Sequence, residues 1–335
     1  MIHSPYIRKP ASVQRVMGTV LVALLPGIAA HVWQIGAGIL VNLAIGTITA
    51  LAVEALVMHL RKRPIGLALG DLSAVLTAWL VVLSFPPIVP WWLTLLGVGI
   101  AVGVAKHLFG GLGQNPFNPA MIAFCSMIVA YPALMSQWPL AGEVDFATQL
   151  ELIAGGVRML DGVTGATALD ALRTGLSSSG APVAEVLARG SAFGLAGGKG
   201  WEWIAAAYAL GGLLLLATRT ITWHMPTAFI LTLCAVSGAF WLADPIRHAS
   251  PLFHLASGGA MLAAFFIVTD PVSGAATPRG KLIFAAGVAL IAWLIRSYGT
   301  YPDGLAFAVL LLNICVPLID MKSQPRVFGH HGDRR

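Results

Sequence analysis

The sequence predicts an all-α polytopic integral membrane protein with about ten transmembrane helices. Of its 335 residues, 57% are hydrophobic and 10% are charged. Soluble domains, in contrast, carry about 25% charged residues. So few charges cannot cover a surface that faces water, which excludes a soluble protein. The net charge of +6 does not indicate nucleic-acid binding, because the basic residues follow the predicted membrane topology.

Ten apolar segments are candidate spans, because each approaches the roughly 20 residues that a helix needs to cross a bilayer. The first is too long for the core of a signal peptide and is interpreted as a retained span. Tryptophans near several ends, such as Trp91, Trp201 and Trp223, fit an interfacial aromatic belt. In chain order the segments are residues 16–35, 37–58, 68–85, 91–106, 119–135, 201–217, 224–243, 251–268, 281–297 and 304–320.

The basic residues orient these spans. With both termini in the cytoplasm, the cytoplasmic segments hold fourteen Lys and Arg residues, and the short outer loops hold two, Arg247 and Arg296. This asymmetry follows the positive-inside rule. The sequence therefore predicts a multi-pass membrane protein with both termini cytoplasmic and residues 136–200 outside the cytoplasm.

The long outer segment, residues 136–200, divides the chain into two membrane halves. Residues 1–135 are predicted to form five helices, residues 201–320 five more, and residues 321–335 a cytoplasmic tail. An odd number of spans gives the halves opposite orientations, as in the inverted repeats that build sites between broken helices. The sequence thus favours a 5+5 inverted repeat.

The most distinctive motif is Asp-Gly-Val-Thr-Gly-Ala-Thr at residues 161–167. Thr167 and Asp170 fit the start of a short helix over residues 168–174, so the simplest interpretation of Thr167 is a helix N-cap. The alternative is a site of phosphate attachment, because a helix N-terminus offers free N–H groups and a positive dipole to an anion. Gly165 and Ala166 leave space for a bulky group. A lone threonine has no base to activate its hydroxyl, so a separate transferase would have to modify it.

Other polar residues give weaker signals. Glu54, Asp71, Asp270 and Asp303 lie near predicted span ends and are interpreted as solvated caps, with intramembrane function as the alternative. The three cysteines lie in apolar runs without metal-ligand spacing, so no metal site is predicted. No Gly-x-Gly-x-x-Gly follows a predicted strand, and NAD is therefore expected to bind elsewhere.

The motif at residues 161–167 resembles the Asp-Gly-x-[Ser/Thr]-Gly-Ala-Thr signature of threonine-flavinylated proteins, with Thr164 where many members have Ser. Further segments resemble, in the same order, the D-subunit family of Rnf electron transport complexes. The resemblance extends more weakly to the B subunits of the Na⁺-translocating NADH:quinone reductases. The other matching segments are residues 4–26, 110–121, 269–273, 301–304 and 317–320.

This resemblance implies ten helices and FMN linked to Thr167 as a phosphoester. Asp161, Gly162, Thr164, Gly165 and Ala166 would complete the attachment motif. It further implies riboflavin bound non-covalently among the helices, maturation by a flavin transferase, and partner subunits A, B, C, E and G. The Gly- and Pro-rich residues 110–119 are either a cytoplasmic turn or a half-buried loop near a cofactor, and the resemblance favours the loop.

The resemblance implies electron transfer between ferredoxin and NAD⁺, coupled to translocation of Na⁺ or H⁺. It also implies a bacterial inner membrane, with residues 136–200 in the periplasm. The chain would act as a flavoprotein subunit of an oxidoreductase, with no catalytic side chain and no activity when isolated. An inverted-repeat solute permease or channel is the alternative, since every feature except the flavin motif fits it.

Overall fold

The computed structural model describes residues 12–142, 144–155, 164–301 and 303–324, and this part of the chain is mostly helical. Two short strands depart from the predicted all-α class. β1 (Trp138–Pro139) pairs antiparallel with β2 (Thr164–Gly165). Asp161 and Gly162 of the predicted attachment motif lie outside the described residues.

The part of the chain before residue 136 contains the helices of the first predicted half. Ser12 caps the first of them by accepting the N–H of Arg15, and Asn118 caps the sixth by accepting two N–H groups. Helix α5 continues as a π-helix over Ile100–Lys106. These helices are α1 (Val13–Gln34), α2 (Gly38–Leu60), α3 (Ile65–Gly70), α4 (Ser73–Ser84), α5 (Trp91–Gly99), α6 (Pro119–Ala130) and α7 (Pro132–Met135).

The rest of the chain contains an outer segment of short helices and a second set of long ones. Helix α14 continues as a π-helix over Ala263–Ile267. In the outer segment the helices are α8 (Phe146–Ala154), α9 (Ala168–Ser179) and α10 (Val183–Arg189). Beyond it they are α11 (Trp201–Ala217), α12 (His224–Ala243), α13 (Pro251–Ala256), α14 (Ala260–Leu262), α15 (Pro278–Tyr298) and α16 (Leu305–Ser323).

Five described helices are long and apolar enough to cross a membrane, namely α1, α2, α12, α15 and α16. Shorter apolar helices occupy four further predicted spans: Ser73–Ser84, Trp91–Lys106, Pro119–Ala130 and Trp201–Ala217. These helices confirm the prediction of a polytopic integral membrane protein.

Three segments predicted as continuous spans are interrupted. Between α3 and α4, Asp71 accepts the N–H of Ser73 at 2.7 Å and leaves Leu72 in the left-handed region, at φ 64°. Between α6 and α7, Pro132 follows Tyr131 and stops the helix. Between α13 and α14, Gly258 adopts a φ of 64°, which glycine tolerates without strain.

The two sets of helices pack closely where α1 meets α11. A Cβ atom on Gly211 would lie 1.9 Å from the carbonyl oxygen of Ala23, so only glycine permits this approach of the two backbones. Close contact through small residues is a common way for membrane helices to associate.

Gly211→Ala should therefore destabilise the protein, although alanine is intrinsically better than glycine in a helix by about 1 kcal/mol. We expect a lower thermal unfolding temperature for the full chain in detergent. Gly99→Ala is the matched control, because a Cβ there meets nothing within 4 Å. Equal unfolding temperatures for the two variants would contradict the close packing of α1 on α11.

Candidate functional site

Thr167 lies where the sequence places it, at the N-terminus of a helix. It is the N-cap of α9, and its hydroxyl oxygen accepts the N–H of Asp170 at 3.3 Å. The helix is longer than predicted, because it continues to Ser179 instead of ending at residue 174. The free N–H groups and the dipole of this first turn make the surroundings of the Thr167 hydroxyl favourable for an anion.

The residues before Thr167 are fixed by the small sheet. Thr164 pairs with Pro139, and Gly165 pairs with Trp138. A Cβ on Gly165 would lie 2.9 Å from side-chain atoms of Leu140, so the site has little room for any other residue. The second glycine of the motif is therefore required by packing.

Helix α9 is anchored on the membrane part of the protein. Leu169 and Leu172 belong to a small apolar cluster with Val183, Ala249 and Phe253. One turn after Leu169, Arg173 donates to the backbone carbonyls of Gly299 and Thr300 and forms an ion pair with Asp170 at 3.3 Å. The helix that carries Thr167 is thus held against α13 and the α15–α16 loop.

A cavity of about 400 Å³ opens beside Thr167. We call it the Thr167 cavity. The starts of α9, α11 and α16 meet there with the break before α14, so several helix N-termini border one space. Its aromatic walls come from Trp138, Trp201 and Tyr301, and its charged groups include Asp170, Arg173 and Asp303.

An ion pair between the buried Arg296 and the partly exposed Asp303 fixes the wall of the Thr167 cavity. Arg296 donates from Nε and Nη2 to the two carboxylate oxygens of Asp303, at 3.2 and 3.1 Å. Its Nη1 donates to the carbonyl of His254 at 2.8 Å, while Asp303 accepts the N–H of Gly259 at 3.1 Å. Asp303, predicted as a solvated cap, thus ties the break before α14 to the start of α16.

A second cavity of about 410 Å³ lies at the opposite ends of α4 and α6. We call it the Lys106 cavity. Asn115 and Asn118 line it and are both buried, which supports the half-buried loop over the simple turn for residues 110–119. Asp270 also lines it and accepts from the Ser273 hydroxyl at 2.6 Å. Burial raises the pKa of the Asp270 carboxyl despite its hydrogen bonds to Ser273 and to the Val272 N–H.

The two cavities are nearly back to back. Along α4, Leu80 lines the Lys106 cavity and Leu83 lines the Thr167 cavity. Along α6, the consecutive residues Ala120 and Met121 line one cavity each. On both helices the residues that line the two cavities therefore come within about one helical turn of each other, roughly 5 Å measured along the helix axis.

Glu54 is the clearest correction to the sequence analysis, which placed it in a solvated cap. It is only 2% exposed, and one carboxylate oxygen, Oε2, accepts from Lys106 Nζ at 2.8 Å. The same oxygen lies 2.9 Å from Nε2 of His107. Both partners are more than 50 residues away along the chain, so the only sign of this pairing in the sequence was an acid inside an apolar segment.

The described residues thus define a polytopic helical membrane protein with a large cavity at each end of α4 and α6. No group of three or more potential metal ligands occurs among them. The chain belongs to the NQR2, RnfD, RnfE family, which it matches over residues 1–329.

Its relatives agree with this assignment. The D subunit of the ion-translocating oxidoreductase complex of Cronobacter sakazakii is 46% identical over 343 aligned positions, which cover 98% of each protein. The proteins of the same name from Salmonella paratyphi B and Salmonella typhi are 45% identical, over 98% of this chain and 97% of theirs. The family confirms the resemblance found in the sequence, and it makes this chain a membrane component of an electron-transporting, ion-translocating oxidoreductase complex.

Proposed function

We propose that this chain is the flavin-carrying membrane subunit of an Rnf-type complex, which couples electron transfer between ferredoxin and NAD⁺ to the movement of Na⁺ or H⁺. The observation that supports it most is the position of Thr167, an N-cap threonine on the edge of a 400 Å³ cavity. The motif around it and the family assignment point to the same role.

The residues around Thr167 fit an FMN phosphoester. The N-terminus of α9 favours a phosphate group, and the Thr167 side chain borders the cavity. Trp138, Trp201 and Tyr301 supply apolar and aromatic surfaces that suit a flat ring system. Arg173 supplies a positive charge on the same wall. These residues would hold and orient the flavin, which supplies the one- and two-electron chemistry when bound.

The Lys106 cavity is a suitable place for the non-covalent riboflavin. It is as large as the Thr167 cavity and is lined by apolar side chains with a few polar groups, among them Asn115, Asn118 and Thr269. Such a mixture is typical of cofactor pockets. About one helical turn along α4 and α6 would then separate the residues that line the two flavin sites, which suits transfer of electrons within a single subunit.

A 5+5 inverted repeat is supported by the positions of the helix breaks. The third predicted span of each half is broken, between α3 and α4 and between α13 and α14. One break borders the Lys106 cavity and the other borders the Thr167 cavity. Breaks that face opposite ends of the molecule are what inverted halves would produce. We therefore propose the same division of the chain as before. The membrane halves are residues 1–135 and 201–320, the outer segment is residues 136–200, and the cytoplasmic tail is residues 321–335.

The direct test is detection of covalent flavin. The chain should be produced in bacteria together with its flavin transferase, and the denatured band should fluoresce in the gel. Peptide mass spectrometry should find one FMN, and it should be on Thr167. A band without covalent flavin would contradict the proposal, and an inverted-repeat permease would then be the better explanation.

The proposed orientation has its own test. Leu195 lies in the outer segment and is 97% exposed. In a background without Cys125, Cys234 and Cys315, Leu195→Cys should react with a membrane-impermeant thiol reagent in spheroplasts. Lys62→Cys, on the predicted cytoplasmic side, should react only after lysis. The reverse pattern would contradict a cytoplasmic N-terminus and a periplasmic Thr167.

We propose the remaining partners from the resemblance to Rnf complexes. Subunits A, B, C, E and G would supply the sites for ferredoxin and NAD⁺, since the sequence shows no nicotinamide fingerprint. The isolated chain should then oxidise neither NADH nor ferredoxin beyond what free flavin does.

A further inference from the structure

Two different basic side chains contact the same carboxylate oxygen of Glu54. The cluster is therefore more than a simple buried ion pair. Lys106 Nζ and His107 Nε2 both contact Oε2 of Glu54, at 2.8 and 2.9 Å. All three residues are only 2% exposed. Lys106 ends the π-helix that follows α5, and π-helical turns are frequent at functional sites.

The imidazole of His107 has one nitrogen free to take a proton. Because Nε2 faces a carboxylate oxygen, Nε2 carries the hydrogen in the neutral ring and Nδ1 is the acceptor. Nδ1 is buried without a hydrogen-bond partner among the described residues. Buried polar atoms are rarely left unpaired, so this atom calls for a functional explanation.

The unpaired nitrogen faces the glycine-rich loop. A Cβ on Gly111 would be 3.6 Å from His107 Nδ1, and Gly110, Gly111 and Gly113 all have positive φ angles. Only backbone therefore covers Nδ1 on this side. Arg61 holds the loop in place by donating to the carbonyls of His107 and Gly110.

The other end of the cluster opens on the Lys106 cavity. Lys106 and Ser73 line that cavity, and Lys106 Nζ donates to the Ser73 hydroxyl at 2.8 Å. The Ser73 hydroxyl in turn donates to Asp71 at 2.6 Å. The charged and titratable groups around His107 are therefore Glu54 on α2, Lys106 on its own element, Arg61 in the α2–α3 loop and, through Ser73, Asp71.

We propose that His107, Glu54 and Lys106 form a proton relay from the glycine-rich loop to the Lys106 cavity. This rests on the proposed function in one respect, namely that the cavity holds a redox carrier whose negative charge increases when it is reduced. The Lys106 ammonium donates a proton to that acceptor and becomes a neutral amine. The amine takes a proton through Glu54 from His107 Nε2, while Nδ1 takes one from water.

The transfer is balanced, and it leaves each group ready for another cycle. One proton enters at Nδ1 and one leaves from Nζ, so the cluster keeps its charge. His107 ends as the Nδ1–H tautomer. The Nε2–H form returns when the ring turns far enough for water to take the proton from Nδ1 and to give one to Nε2. Histidine suits this step because its protonation changes readily near neutral pH.

The other half of the protein provides a contrast. Its buried basic residue, Arg296, is also near the end of a long helix and also pairs with an acid, Asp303. A guanidinium stays protonated in proteins, so this pair cannot relay protons. The Thr167 cavity is thus bordered by an ion pair with a fixed charge, whereas the Lys106 cavity is bordered by a group that can exchange a proton.

The first test needs no variant and no flavin. The C2 hydrogen of each histidine exchanges with D₂O, and mass spectrometry on the full chain measures the rate of this exchange across pH. The rate reports whether water reaches the ring and whether the ring is protonated. His31 is the matched control, since it is 1% exposed and both of its nitrogens lack partners among the described residues. We expect His107 to exchange several-fold faster than His31. Equal, slow exchange of the two histidines would overturn the relay.

The second test uses conservative variants in the whole complex. Lys106→Arg keeps the charge, and His107→Gln keeps a donor near Glu54, but neither can pass a proton. Loss of a positioned proton donor typically slows a step by about 100-fold or more. Both variants should show this loss in electron transfer, together with loss of the wild-type pH profile and solvent isotope effect. Lys322→Arg, at an exposed lysine in the last turn of α16 that lines neither cavity, should behave as wild type.

Flavin content separates the two proposals. If acid extraction releases no non-covalent flavin from the wild-type chain, the proposed riboflavin site is wrong, and the histidine exchange alone decides on the relay. If the flavin is present and both variants keep wild-type rates and pH profiles, the relay is wrong and the flavin site stands.

Discussion

Thr167→Val should abolish the covalent flavin while leaving the protein folded. Valine has nearly the size of threonine but no hydroxyl, so the phosphoester cannot form. Loss of one N-cap hydrogen bond costs about 1 kcal/mol, which a protein with this many packed helices should tolerate. In-gel flavin fluorescence should disappear at unchanged protein abundance. Electron transfer through the complex should fall by orders of magnitude, because a missing carrier interrupts the route.

Thr277→Val is the matched control for this experiment. Thr277 caps α15 by accepting the N–H of Gly280 at 2.9 Å, so its replacement also removes an N-cap oxygen from the start of a helix. It lies far from the attachment motif, and fluorescence should persist. Fluorescence that survives in Thr167→Val would show that another residue carries the flavin, and the central proposal would be wrong.

Arg296→Leu should be among the most destabilising single substitutions in the described part of the chain. It leaves the Asp303 carboxylate and the His254 carbonyl without their partner in the protein interior. Removing one member of a fully buried ion pair typically costs about 3–5 kcal/mol, and the cost here should lie below that range because Asp303 is 25% exposed. The thermal unfolding temperature of the full chain in detergent should fall markedly. Flavin incorporation should fall as well, because the pair shapes the wall of the Thr167 cavity.

Arg247→Leu is the control for an exposed arginine. The Arg247 side chain is 82% exposed, and its Nε lies 3.9 Å from a carboxylate oxygen of Asp244. An exposed ion pair of this kind contributes little to stability. Its unfolding temperature should stay close to that of the wild type. If Arg296→Leu also unfolded at the wild-type temperature and accepted flavin normally, the Arg296–Asp303 pair would not be the support of the cavity wall.

The helices and the position of Thr167 could be predicted because they depend on local sequence. Hydropathy over about 20 residues identifies spans, and Thr167 with Asp170 identifies a helix start. The break between α3 and α4 was missed because apolar residues continue through it. What ends the helix is one side chain, Asp71, which captures the Ser73 N–H.

The walls of the cavities could not be predicted, because they join residues that are distant along the chain. Trp138 and Tyr301 line one cavity although more than 160 positions separate them. Glu54 was assigned to a solvated cap because its place near a span end was visible and its partners were not. Burial of a charge is decided by such partners, and a single sequence does not show pairing over 50 residues.

The close approach of the two cavities along α4 and α6 has a consequence for energy conversion. The hydrocarbon core of a bilayer is about 30 Å thick, whereas the cavities approach each other to within about one helical turn. Cavities that admit water from opposite faces would concentrate the transmembrane voltage across the protein left between them. A charge that crosses this part of the protein would then move through most of the voltage, which is worth about 2.3 kcal/mol for each 100 mV. A step of a few ångströms inside one subunit would then do electrical work comparable to crossing the whole membrane.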